Sequence, residues 1–166
     1  MSGATDYDLL VGRREAFLKR QYEGRVVIWP DDRPMQATRQ GFLRYYLNVN
    51  YDDTCLPEWS IKIQLIPERS GRHRHQGSVL IFALDGQGAT EMDGAVEAWE
   101  AGDLIILPQR AESVAHQHFN RTPDGPARWV AYSHHFMYDY LGSLTQQVED
   151  APTSSAAVSN RGGSNE

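Results

Sequence analysis

The chain has 166 residues, with 16 Lys and Arg against 22 Asp and Glu, a formal charge of −6, and 40% hydrophobic and 23% charged residues. That is the content of one globular domain, and basic residues scattered rather than clustered argue against a nucleic-acid partner. The single cysteine, Cys55, excludes an internal disulfide framework and a Cys-rich zinc site. Met1 to Tyr7 lacks the pattern of a signal peptide and no apolar run reaches bilayer-spanning length, so the expectation is a cytoplasmic protein with no membrane partner.

In chain order, residues 1–40 read as an arm. Asp6 to Tyr22 carries Leu9, Leu10, Phe17 and Leu18 at helical spacing and stops at Gly24. Val26 to Trp29 is β-branched and aromatic and predicts a short strand, one that would cover an exposed sheet edge in a homodimer. Residues 41–136 have the texture of an antiparallel barrel: short apolar runs divided by Gly-containing turns. Gly41 to Tyr51 alternates with aromatics on both faces, and Trp59 to Ile66 sets Ile61, Ile63 and Leu65 against Ser60, Lys62 and Gln64. Val79 to Leu84 is nearly all apolar, and Asp93-Gly94 between two short runs predicts a type I′ hairpin. Leu104 to Leu107, Ser113 to Asn120 and Ala127 to His134 complete the strands. Met137 to Val148, within residues 137–150, predicts a C-terminal helix through Leu141, Leu144 and Val148. Residues 151–166 are mostly Ser, Ala, Gly and Asn, so a disordered tail is expected.

All six histidines lie between His73 and His135. His73 and His75 are two apart, so on a strand both imidazoles leave one face and can hold one cation; His116 and His118 repeat the spacing. Neutral imidazole suits Fe(II), Mn(II), Ni(II), Cu(II) or Zn(II), and three such ligands leave positions open for water or substrate. The third ligand is His116 or His118. A histidine on this face that is not a ligand can carry a proton near neutral pH. Weaker candidates for the pocket are Arg44 to pair with a substrate carboxylate, Tyr46 and Trp59 to pack on a ring, and Gln64 or Lys62 pointing inward. His134 and His135 are adjacent and leave opposite faces, so one of them approaches the lumen.

These motifs resemble the cupin superfamily. Its usual first motif, His-x-His followed by Glu and then Gly, matches at His73, His75 and Gly86; its second matches at Gly102, Pro108, His116 and Asn120. The resemblance implies an all-β, double-stranded β-helix or jelly-roll barrel with a metal near its centre. Two departures stand out. Val79 lies seven residues before Gly86, where the ligand Glu would be, and the step from Pro108 to His116 is three residues longer than usual. Without the Glu, the metal set becomes His73, His75 and His116, the last favoured over His118 by its spacing to Asn120. This looks like the gentisate dioxygenase branch and related single-domain cupins, which cleave a C–C bond with O2 on three-histidine Fe(II). The resemblance implies an Fe(II)-dependent dioxygenase; the expected substrate is an aromatic hydroxy acid, hydroxyketone or β-dicarbonyl, and His118, on the same strand face as His116, is the candidate catalytic residue, as a proton carrier or as a hydrogen-bond donor behind the ligands. The same ligands would equally serve a lyase or isomerase using the cation as a Lewis acid. A non-catalytic small-molecule-binding barrel is the third expectation.

Overall fold

A computed structural model describes residues 3–135 and 143–152. The chain opens with α1 (Asp6–Glu23) and continues through β1 (Gln36–Thr38), β2 (Gly41–Leu47), β3 (Trp59–Ile66), β4 (Arg72–His75), β5 (Val79–Asp85), β6 (Gln87–Met92), β7 (Ala95–Glu100), β8 (Leu104–Leu107), β9 (Val114–Asn120), β10 (Ala127–His134) and β11 (Thr145–Glu149). Two sheets form, a six-stranded one in the order β1-β2-β3-β10-β5-β8 and a five-stranded one in the order β11-β4-β9-β6-β7. Every strand pairing within them is antiparallel. Strands adjacent in sequence often lie in different sheets, so the chain passes back and forth between two layers. This is the jelly-roll expected from the motifs.

Side chains that alternate along each strand fill the space between the layers. On β5, Val79, Ile81 and Ala83 are buried while Leu80, Phe82 and Leu84 face out. With Ile66, Trp99, Leu107, Ala127, Trp129 and Ala131 they form the core. The continuous apolar run of β5 is thus an alternating strand whose outer face is also apolar, since Leu80 pairs with Ile106 and Phe82 with Leu104 on the edge strand β8.

The Asp93-Gly94 hairpin forms as expected, with φ of 50° and 90° at its two central residues. Gly88 is required for a different reason. A Cβ there would sit 2.2 Å from the Trp99 ring and 2.6 Å from the Phe119 carbonyl oxygen, so the indole packs directly on backbone.

Two expectations are corrected, and a third falls largely outside the described residues. Val26 to Trp29 is not a strand: only Arg25 makes an isolated bridge, to Thr54, and Val26 and Trp29 stand in solvent. Charge decides this segment, because Arg25 pairs with both Asp32 and Asp53 and Arg33 with Asp53, which folds the arm into a turn. The predicted helix over Met137 to Val148 lies outside the described residues as far as Gly142; beyond it, Thr145–Glu149 is a strand. Here β4 offers a free edge, and pairing with it satisfies backbone groups that a lone short helix would leave to water. The expected disordered tail falls outside the described residues from Thr153 onward. Its first residue, Ala151, is buried and donates its N–H to the Arg39 carbonyl at 2.8 Å.

α1 forms where expected, opened by a capping box between Thr5 and Asp8, yet it buries no residue. Its link to the barrel is Arg20, whose Nε and Nη2 donate to the carbonyl and hydroxyl oxygens of buried Thr54. Among the described residues, no helix is long and apolar enough to cross a membrane.

Candidate metal centre

Strand β4 is four residues, Arg72-His73-Arg74-His75, and its period of two separates the chemistry by face. His73 and His75 turn inward and are buried. The two arginines turn outward and tether the strand: Arg72 makes a two-pronged pair with Glu91, and Arg74 Nε donates to Gln146 Oε1 on β11 at 2.9 Å. Across the sheet His73 stands directly opposite His116 on β9. The loop entering β4 is clamped to β9 by Ser70, whose hydroxyl accepts from His118 N–H at 2.9 Å and whose N–H donates to the His118 carbonyl at 2.8 Å.

The structure brings His73, His75 and His116 together, with one ligand nitrogen from each lying within 4.8 Å of the others. Ring centroids are 4.2 Å apart for His73 and His116 and 4.7 Å for His75 and His116. His118 is one step further along β9, its ring 5.5 Å from that of His116, and falls outside this cluster.

Burial is the first cause of the low basicity of all four rings. It brings His75 down to about 4 and His118 to about 3, and holds His73 and His116 well below the usual value. The positive charge of Lys62 lowers His73, His75 and His118 further. At neutral pH the cluster is therefore uncharged imidazole, the form that binds metal.

Hydrogen bonds set which nitrogen is free. His75 Nδ1 lies 2.7 Å from the Gly77 carbonyl and His116 Nδ1 3.2 Å from that of Val114, so both carry their proton on Nδ1 and leave Nε2 with a lone pair. His73 Nδ1 is buried without a well-formed hydrogen bond, the Gly71 backbone acting on the ring only weakly, and a cation would complete it. These donors fit a divalent first-row ion.

His118 is held apart by a separate chain of bonds. Trp99 Nε1–H donates to Thr90 Oγ1 at 3.0 Å, and the same oxygen is 2.8 Å from His118 Nδ1. Thr90, Trp99 and His118 are all buried. With Nδ1 engaged, Nε2 is the His118 atom left for anything in the cavity.

That cavity, of about 270 Å³, is lined by the four histidines, by Val79, Ile81, Leu107, Trp129 and Ala131, and by Tyr45, Ser60 and Lys62. Val79 adds an aliphatic side chain to the cavity lining, which among the described residues contains no carboxylate.

The weaker pocket candidates are placed elsewhere. None of Arg44, Tyr46, Trp59 and Gln64 lines the cavity. Gln64 is buried and spends its amide on the Gln40 carbonyl at 2.6 Å, and Trp59 packs edge-on against His134 at 5.0 Å. Arg44 and Tyr46 are on the wrong side of β2: Leu43 and Tyr45 pair with Gln64 and Lys62, and a bulge after Tyr45 shifts the register. Aromatics on both faces of β2 hid this orientation. Lys62 does reach the cavity, as does His135 of the adjacent pair. Thr90, Tyr45 and Trp129 carried no signal in the sequence, because their roles depend on which strands face each other.

Residues 63–133 match the family model described as Cupin domain. A 5-aminosalicylate 1,2-dioxygenase of Comamonas sp. is 30% identical over 114 residues, which is 68% of this chain and 29% of that protein. The chain thus spans less than a third of the length of this curated relative. Among solved structures, salicylate 1,2-dioxygenase from Pseudoaminobacter salicylatoxidans superposes with a TM-score of 0.55 at 15% identity, covering 82% of this chain and 35% of that one. The polyketide cyclase RemF from Streptomyces resistomycificus gives 0.54 at 13% identity, covering 80% and 89%. At these identities the structural likeness speaks for the fold.

Proposed function

We propose, on the match of residues 63–133 to the Cupin domain model, that the chain is an Fe(II)-dependent dioxygenase that cleaves a C–C bond of a small organic acid with O2. The observation that carries this is the set of three neutral imidazoles, His73, His75 and His116, converging in one cavity whose described lining holds Val79 and no carboxylate. The 30% identity to a dioxygenase that acts on 5-aminosalicylate supports the direction, over the part of that protein which this chain spans.

His73, His75 and His116 would hold the ion. When bound, Fe(II) supplies a redox-active Lewis acid that keeps its full dipositive charge, since no ligand is anionic, and so attracts an anionic chelating substrate together with O2. His118, neutral at working pH, presents Nε2 to the cavity to hydrogen-bond and orient a substrate hydroxyl while Thr90 holds the ring through Nδ1. Val79, Ile81, Leu107 and Trp129 form an apolar wall that excludes water and fits the flat face of a ring. Both oxygen atoms enter the ring-opened or chain-cleaved product, so no external reductant is needed.

The test is O2 uptake by Fe(II)-loaded protein across a panel of phenolic acids, hydroxyketones and β-diketones. Uptake with product mass raised by two oxygen atoms supports the proposal. No uptake across the panel, with one Fe bound per chain, refutes it. Turnover without O2 in protein loaded with Zn(II) or Ni(II) would assign the same ligands to lyase or isomerase chemistry.

A further inference from the structure

Lys62 is a cation with no counterpart in the site just described. It sits mid-strand on β3, on the inward face with Ser60 and Gln64, and lines the cavity that contains the histidine cluster. Its neighbour on β2 is Tyr45, whose ring lies 5.8 Å from Nζ, the outer reach of a cation–π contact. Across β10 it faces Ala131, which offers no polar group. Among the described residues it makes no ion pair, and no carboxylate lines the cavity. It faces the rings from the opposite sheet, and its field reaches His73, His75 and His118 across the cavity.

A partly buried charge without a partner costs stability, and an apolar residue would pack the barrel at least as well. Three neutral histidines do nothing to offset it, and a divalent ion would add to the positive field. The missing complement is an anion. We propose that Lys62 is the carboxylate anchor of the substrate site: its Nζ makes a charge-assisted hydrogen bond to the carboxylate of a small organic acid, and so selects acids over neutral compounds of the same shape. This rests on the cavity being the substrate site, as the proposed function has it. Burial brings Lys62 down to about 8, which leaves it mainly protonated at neutral pH.

The probes are salicylate and its neutral isostere salicylamide, titrated calorimetrically under nitrogen into Fe(II)-loaded wild type, Lys62→Met and Lys62→Arg. Wild type should bind the acid more tightly than the amide. Lys62→Met should weaken salicylate binding about ten- to hundredfold, the range of one charged hydrogen bond, and leave salicylamide within about threefold. Lys62→Arg should restore most of the loss. Bound iron should stay at one per chain in all three, and the melting temperature of the metal-free Lys62→Met protein should be equal to or above that of wild type.

Equal loss of acid and amide in Lys62→Met, no loss of either, or equal affinity of wild type for both would overturn the assignment. Selective binding through Lys62 without any O2 uptake would leave the anchor standing and remove only the dioxygenase. Undiminished O2 uptake with salicylate by Lys62→Met would do the reverse.

Discussion

Thr90 joins the barrel's packing to its chemistry, and its replacement by valine tests that link directly. The two side chains have nearly the same shape, so Thr90→Val removes one hydroxyl and little else. Two buried groups lose their partner: Trp99 Nε1–H, now 3.0 Å from the threonine oxygen, and His118 Nδ1, now 2.8 Å from it. Stranding a buried polar group costs about 1–3 kcal/mol, so the pair together should cost about 2–6 kcal/mol. At about 2–4 °C per kcal/mol for a chain of this size, the melting temperature should fall by roughly 4–24 °C. Urea unfolding should show a lower midpoint with an unchanged m-value. Thr90→Ser keeps the hydroxyl and loses one buried methyl, for about 1 kcal/mol. The reasoning fails if Thr90→Val is within about 0.5 kcal/mol of wild type, or no less stable than Thr90→Ser.

The cluster predicts a division among the histidines: alanine at His73, His75 or His116 should cut the metal retained after dialysis at least tenfold by elemental analysis, while His118→Ala should keep it and lose turnover. In metal-free protein the buried imidazoles make stability depend on acid. Unfolded histidines take up protons near pH 6.5 whereas His75 resists until about 4, so stability is full above pH 6.5 and falls as the pH drops toward 4, by about 3 kcal/mol for this one residue. Chemical denaturation at pH 7.5, 6 and 5 reads this out, and a flat profile would contradict it. Gly88→Ala drives a methyl into the Trp99 ring and the Phe119 carbonyl, so a loss of at least about 2 kcal/mol and a shifted tryptophan emission are expected. The expected homodimer is tested by sedimentation: a two-chain mass that falls to one on deletion of residues 1–29 supports a role for the exposed apolar residues of the arm, including Leu9, Leu10, Val26 and Trp29, and a monomeric wild type refutes it.

Local chemistry made much of the molecule legible from sequence. The His73/His75 spacing, the Asp93-Gly94 turn and the alternation of Trp59 to Ile66 all act within a few residues, and each reappears as read. So does α1, which its own capping box starts. What only the tertiary structure decided depends on long-range pairing. Thr145–Glu149 became a strand because β4 offered an edge, and Val26 to Trp29 did not because Asp32 and Asp53 captured Arg25. The separation of His116 from His118 follows from His116 lying across from His73 and from Thr90 reaching His118 from another strand. Lys62 and Tyr45 face the cavity, and Arg44 and Tyr46 do not line it, because β2 and β3 pair Tyr45 with Lys62 on the face that the second sheet covers. A period of two shows that side chains alternate. Which face is inside is settled only when the second sheet closes over it.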